Sequence, residues 1–187
     1  MKLKIILSAI FIGILFSNSL KGQMIDLTLE ELVKNSNHIV HCKLKKMDSY
    51  INKDAKGIYT DIYFENINSV KGDIKKSENI RITIYGGTYN GITTYSPHYP
   101  SFNINEESIL FLNKIESKIP EITKYAIYGS YFGKFDILND KSINEFIVLR
   151  NKGYSELVIG NFKEKIVIDN ITKVTLNNFK EMIKSCL

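Results

Sequence analysis

The chain has 187 residues, 44% hydrophobic and 24% charged, with 11 Gly and 3 Pro. That composition excludes collagen-like, low-complexity and disordered chains. The length fits one domain able to bury a core without metal or disulfide staples, and two cysteines exclude a disulfide scaffold.

The formal charge of +5 depends on the first residues. Lys2 and Lys4 precede an apolar run from Ile5 to Phe16, broken only by Ser8 and Gly13, and Ser17, Asn18 and Ser19 follow it. This succession reads as a secretory signal peptide, and the run is shorter than the roughly 20 residues a spanning helix needs. Cleavage fits after Ser19 or after Gly22. The boundary is placed at 1–22, leaving 23–187 as a single exported domain, periplasmic or secreted, with no transmembrane segment. Losing Lys2, Lys4 and Lys21 leaves 22 of the 25 basic residues against 20 acidic ones, or +2. Lys163 and Lys165 are interrupted by Glu164, and Lys43, Lys45 and Lys46 are followed by Asp48. Nucleic acid is therefore not the expected partner, since it requires a clustered basic face. An exported chain with an even pair, Cys42 and Cys186, permits one disulfide closing nearly the whole mature domain; two buried thiols are the other reading.

Thr28 and Glu31 make a capping-box pattern ahead of Leu29, Leu32 and Val33 on one helical face, and Asn35-Ser36-Asn37 ends that helix. Alternation then takes over. Over 38–47, Val40, Cys42 and Leu44 fall on one side and His41, Lys43 and Lys45 on the other. A turn at 52–57 leads to a long strand over 58–70, with Ile58, Ile62, Phe64 and Val70 on one face and Asp61 and Glu65 opposite. Lys71-Gly72-Asp73 reads as a turn, and Ile80, Ile82 and Ile84 mark the next strand. Residues 86–105 read as a long loop. Further strands are expected at 108–112, 122–128, 133–138, 145–150, 157–159 and 166–168. Thr175 caps a closing helix whose Leu176, Phe179, Met182, Ile183 and Cys186 share a face that packs on the sheet. The sum is a mainly β chain: a small β-barrel with a short N-terminal helix and a C-terminal helix.

Several stretches resemble a family of exported bacterial domains of uncharacterised role, over roughly 28–138. They are Ser36-Asn37-His38-Ile39-Val40, Ser69-Val70-Lys71-Gly72, Gly86-Gly87-Thr88, Pro100-x-Phe102 before Glu106-Glu107, Leu110-Phe111-Leu112 and Gly133-Lys134-Phe135. The layout is also similar to the netrin-like domains of tissue inhibitors of metalloproteinases, which are OB-type barrels. The resemblance implies an OB-like barrel, and a Cys42–Cys186 bridge would match those domains' tie between barrel start and last helix. Those inhibitors hold the protease zinc through an N-terminal Cys, which neither cleavage point exposes here, so their mechanism does not carry over.

No residue is assigned a catalytic role. His38 and His41 lie three apart, which on a strand puts them on opposite sides, and no metal motif accompanies His98; no metal site is expected. Cys42 faces away from His41 and shares its side with Val40 and Leu44. Gly86–Gly91 lacks the Lys-Ser/Thr of a phosphate loop, so no cofactor is expected. Asp61 with Glu65, and Glu106 with Glu107, read as solvated strand faces. The uncharged loop at 85–102 stands apart, since long loops either cover a barrel end or recognise something. Its candidate binding residues are Tyr89, Tyr95, His98, Tyr99 and Phe102, in a loop that also carries Tyr85. The expected function is an exported binding module meeting a protein partner through barrel loops. The alternatives are a small exported hydrolase assembled from distant barrel residues, or a protein resembling a protease inhibitor. Oligomeric state is left open.

Overall fold

Thr28 Oγ1 accepts from the Glu31 N–H at 3.1 Å while the Glu31 carboxylate accepts from the Thr28 N–H at 2.8 Å. This reciprocal cap starts α1 (Leu29–Asn35). The computed structural model describes residues 27–96, 98–116, 124–150 and 174–187. The expected signal segment at 1–22, the expected strands at 157–159 and 166–168, and the first two residues of the strand expected at 122–128 lie outside the described residues.

After α1 come β1 (His38–Asn52), β2 (Gly57–Lys71), β3 (Asn79–Tyr85), β4 (Gly87–Tyr89), β5 (Ile92–Thr94), β6 (Glu107–Ile115) and β7 (Lys124–Ile127). A 3₁₀ turn, Ser130–Gly133, leads to β8 (Lys134–Asp140), β9 (Glu145–Arg150), β10 (Val174–Thr175) and α2 (Leu176–Ser185). The chain is thus mainly β, with a short helix near its start and another at its end. No described helix is long and apolar enough to cross a membrane.

Pairing runs β1–β2–β3–β7–β6 and β6 pairs back onto β1, every contact antiparallel except the parallel β3–β7. The far edge of β6 is shared: its Leu112–Ile115 end pairs with β7 and its Glu107–Leu110 end with β8, from which β9 and β10 continue. Strands β1 and β6 therefore lie between two cores. Ile39, Ile109 and Phe111 face the helices, packing with Leu29, Leu32, Val33, Phe135, Phe179 and Ile183. Val40, Cys42, Leu44, Leu110 and Leu112 face the inner core with Ile62, Phe64, Ile80 and Ile82. Burial on both faces is why Ile109–Leu112 of β6 reads as an unbroken apolar run. Lys71 Nζ donates to the Val33 carbonyl at 2.6 Å and so ties the end of α1 to β2.

Three expectations are corrected. Val70 does not share a face with Ile62 and Phe64: shifts in β1–β2 register at Ile39/Val40 and His41/Cys42 carry it to the helix-side core. The segment at 86–105 is not all loop, because β4 and β5 form a hairpin turning on Asn90 (φ 47°) and Gly91 (φ 78°), the positive-φ pair that a two-residue hairpin favours. The Cys42–Cys186 bridge is not formed. Both thiols are free; Cys42 belongs to the inner core and Cys186 packs on the helix-side core.

Candidate functional site

Beyond the inner core, β1, β2 and β3 continue as a three-stranded sheet whose register stacks side chains in rows. Lys46 lies opposite Tyr63 and Tyr63 opposite Arg81; Asp48 opposite Asp61 and Asp61 opposite Thr83; Tyr50 opposite Tyr59 and Tyr59 opposite Tyr85. Alternation places these three rows on one face, while Ile62 and Ile82 turn to the inner core on the other. None of the four tyrosines belongs to either core.

The rings of Tyr50 and Tyr59 are stacked, 6.5 Å apart at 29°, and Tyr59 meets Tyr85 edge-on at 5.4 Å. Lys46 Nζ and the Arg81 guanidinium each lie 5.8 Å from the centre of the Tyr63 ring. Asp61, expected on a solvated face, is 5% exposed. It forms an ion pair with Arg81 and accepts from Thr83 Oγ1 at 2.6 Å. Lys46 Nζ is 2.6 Å from Asp48. Lys46 and Arg81 are thus each matched by a carboxylate. Burial, and then the Asp61 charge, push the Tyr50 phenol above its ordinary pKa, keeping it a neutral donor. Gly57 makes room for the last row, because a Cβ there would stand 2.7 Å from Tyr85 Cε2.

The loop residues singled out by sequence divide. Tyr95 is 76% exposed, and Ile92 beside it in the hairpin 63%. His98 is exposed and its carbonyl accepts from Ser130 Oγ. Tyr89 and Tyr99 are half-buried. Phe102 packs on the inner core, 6.0 Å from the Phe64 ring, with Lys134 Nζ 5.3 Å from its centre. It belongs to the packing rather than to the exposed set.

Lys134 is the polar centre beneath that ring. It is 0% exposed and ion-paired with Asp136 and with Glu106, the latter at 3.0 Å. Glu107 is held by His41 Nε2 at 3.0 Å. Neither glutamate therefore stands on a freely solvated strand face. The Cys42 thiol lies 3.6 Å from the Ser108 carbonyl, and burial raises its pKa far above the ordinary range, which leaves it an inert core group. No three His, Cys, Asp or Glu among the described residues gather as a metal site.

No protein-family model, curated protein or solved structure matches this chain. Its chemistry is read from geometry alone. The tyrosine face offers flat apolar rings with phenolic tips and fixed, internally neutralised charges, a surface suited to recognition rather than proton transfer. Sequence reasoning did not assemble Tyr50, Tyr59, Tyr63 and Arg81. The signal was present in Tyr59-x-Asp61-x-Tyr63 and Arg81-x-Thr83-x-Tyr85, where aromatic and polar residues occupy the alternate positions left by the apolar ones.

Proposed function

We propose that this chain is an exported, non-catalytic binding module, an OB-like β-barrel that meets a protein partner through its tyrosine face and the neighbouring loop at 85–102. The cycle of pairings from β1 through β2, β3, β7 and β6 back to β1 supports the barrel reading, since returning to the first strand removes edges within that stretch. The basic, apolar and small polar succession at 1–22 supports export.

The observation that carries the reading is the row Tyr50–Tyr59–Tyr85, three rings in contact yet outside both cores. Tyrosine supplies large contact area with a polar tip at low entropic cost, which is why it is enriched at protein interfaces. A matched set of charges around the rings favours a mixed protein surface over a polyanion. The buried carboxylate Asp61, and Glu106 and Asp136 around Lys134, are committed to cations, which supports a structural duty for them.

The test is affinity capture from the protein's own envelope and culture fluid, followed by titration of the captured protein. Tyr59→Ala/Tyr85→Ala should weaken that complex by about tenfold or more, as loss of interface anchors does. Tyr95→Ala/Tyr99→Ala measures the share carried by the loop. Unchanged affinity in both double variants would sink the reading.

A further inference from the structure

The two edges of β1 have different surroundings. Over Ile39–Lys43 one edge pairs with β2 and the other with β6, and Leu44 exchanges hydrogen bonds with Asn105 and Glu106. Past the irregularity at Leu44/Lys46, residues Lys46–Asn52 pair with β2 alone among the described strands; β4 comes close to β1, with Gly87 near the Ser49 side chain, but does not pair with it.

The hydrogen bonds of β2 fix which groups face that open edge. Asn66 donates to the Glu78 carbonyl and accepts from the Ser77 N–H, and the Ile58 carbonyl accepts from Gly86 N–H. Even-numbered residues of β2 therefore turn their backbone toward β3, and Tyr59, Asp61 and Tyr63 turn theirs toward β1. Their partners Tyr50, Asp48 and Lys46 are satisfied by β2. It follows that Met47, Ser49 and Ile51 direct N–H and C=O outward.

Sheets ordinarily blunt such an edge with unpaired Lys, Pro or a bulge. Between Lys46 and Asn52 there is no Pro and no register shift, and Lys46 is neutralised by Asp48. The flanking apolar side chains are exposed, Met47 by 37% and Ile51 by 52%. The segment is also complementary to itself. Antiparallel pairing about a two-fold axis at Ser49 sets Ser49 against its own copy, Met47 against Ile51, Asp48 against Tyr50 and Lys46 against Asn52. Apolar meets apolar, no like charges meet, and every outward N–H of the three residues finds an outward C=O.

We propose that a second copy of this chain adds to this edge, β1 against β1, as an isologous homodimer. The axis stands perpendicular to the sheet, so the tyrosine faces of both copies fall on the same side of one continuous sheet. A seven-residue strand contact is at the small end of interfaces, and the dimer forms in a concentration-dependent equilibrium.

Sedimentation of the protein as its cell produces it, over a concentration series, should show the mass doubling. In the same samples the amides of Met47, Ser49 and Ile51 should exchange more slowly as the dimer fills, while those of Lys46, Asp48 and Tyr50 stay unchanged. M47K/I51K places Lys opposite Lys at both outer pairs and should leave a monomer at every concentration. M47E/I51K sets opposite charges there and should restore the dimer. A wild-type chain that stays monomeric throughout the series, a dimer that survives M47K/I51K, or slowed exchange at the even positions would each overturn the proposal. Should the double-lysine chain fail to fold, the odd-even exchange pattern of the wild type decides the matter alone.

Discussion

Replacing Lys134 by Met leaves the carboxylates of Glu106 and Asp136 beside Phe102 with no cation between them. Breaking a buried ion cluster by removing one sign is costly, and Lys134→Met should lower stability by about 3 kcal/mol, read as a lower urea midpoint. His41 gives a pH dependence. Burial depresses its pKa, Lys180 on α2 adds to that, and the hydrogen bond and charge of Glu107 partly oppose it. The unfolded histidine therefore takes up its proton first, near pH 6.5. Its contribution is fully present above about pH 7 and is lost as pH falls through the lower folded value. Urea midpoints measured near pH 7 and near pH 5 should differ more for the wild type than for His41→Gln; equal differences would exclude His41 as the source.

At the scale of the element, both helices were legible because their caps are local signals. Thr28 with Glu31, and Thr175 with Asn178, lie within one turn of the groups they satisfy. Strands were legible wherever alternation was unbroken. Val70 shows the limit, because a shift in register between two distant strands exchanges faces without marking either sequence. The β4–β5 hairpin was marked, by Asn90-Gly91 between Tyr89 and Ile92, but lay within what otherwise read as loop. The closing helix is anchored by Phe179 and Ile183, and Phe179 is buried 4.8 Å from Phe135. Phe179→Ala should cost about 3–4 kcal/mol and speed amide exchange throughout α2, while β1–β3 keep their protection.

For the molecule as a whole, what sequence could not supply is which strands become neighbours. The loop tyrosines could be picked out because 85–102 is contiguous, whereas the rows of the tyrosine face bring together Lys46 and Arg81, or Tyr50 and Tyr85, across three strands. The same absence of pairing information let the cysteines look like a bridge. With Cys42 in the inner core and Cys186 half-buried against the other, a thiol reagent should modify Cys186 alone in the native protein and both after denaturation. Unreactive thiols in both states under non-reducing conditions would restore the disulfide. The return of β6 to β1 has a consequence in time. It joins Cys42 to Ser108, 66 positions later, whereas β1 and β2 meet across a short turn. Distant pairings are the slow ones. During synthesis the hairpin can therefore assemble early, but Ile39 and Val40 stay uncovered on one edge until the ribosome has released Leu112. Nascent molecules of this protein pass through an interval in which the apolar start of β1 is open to the wrong neighbour.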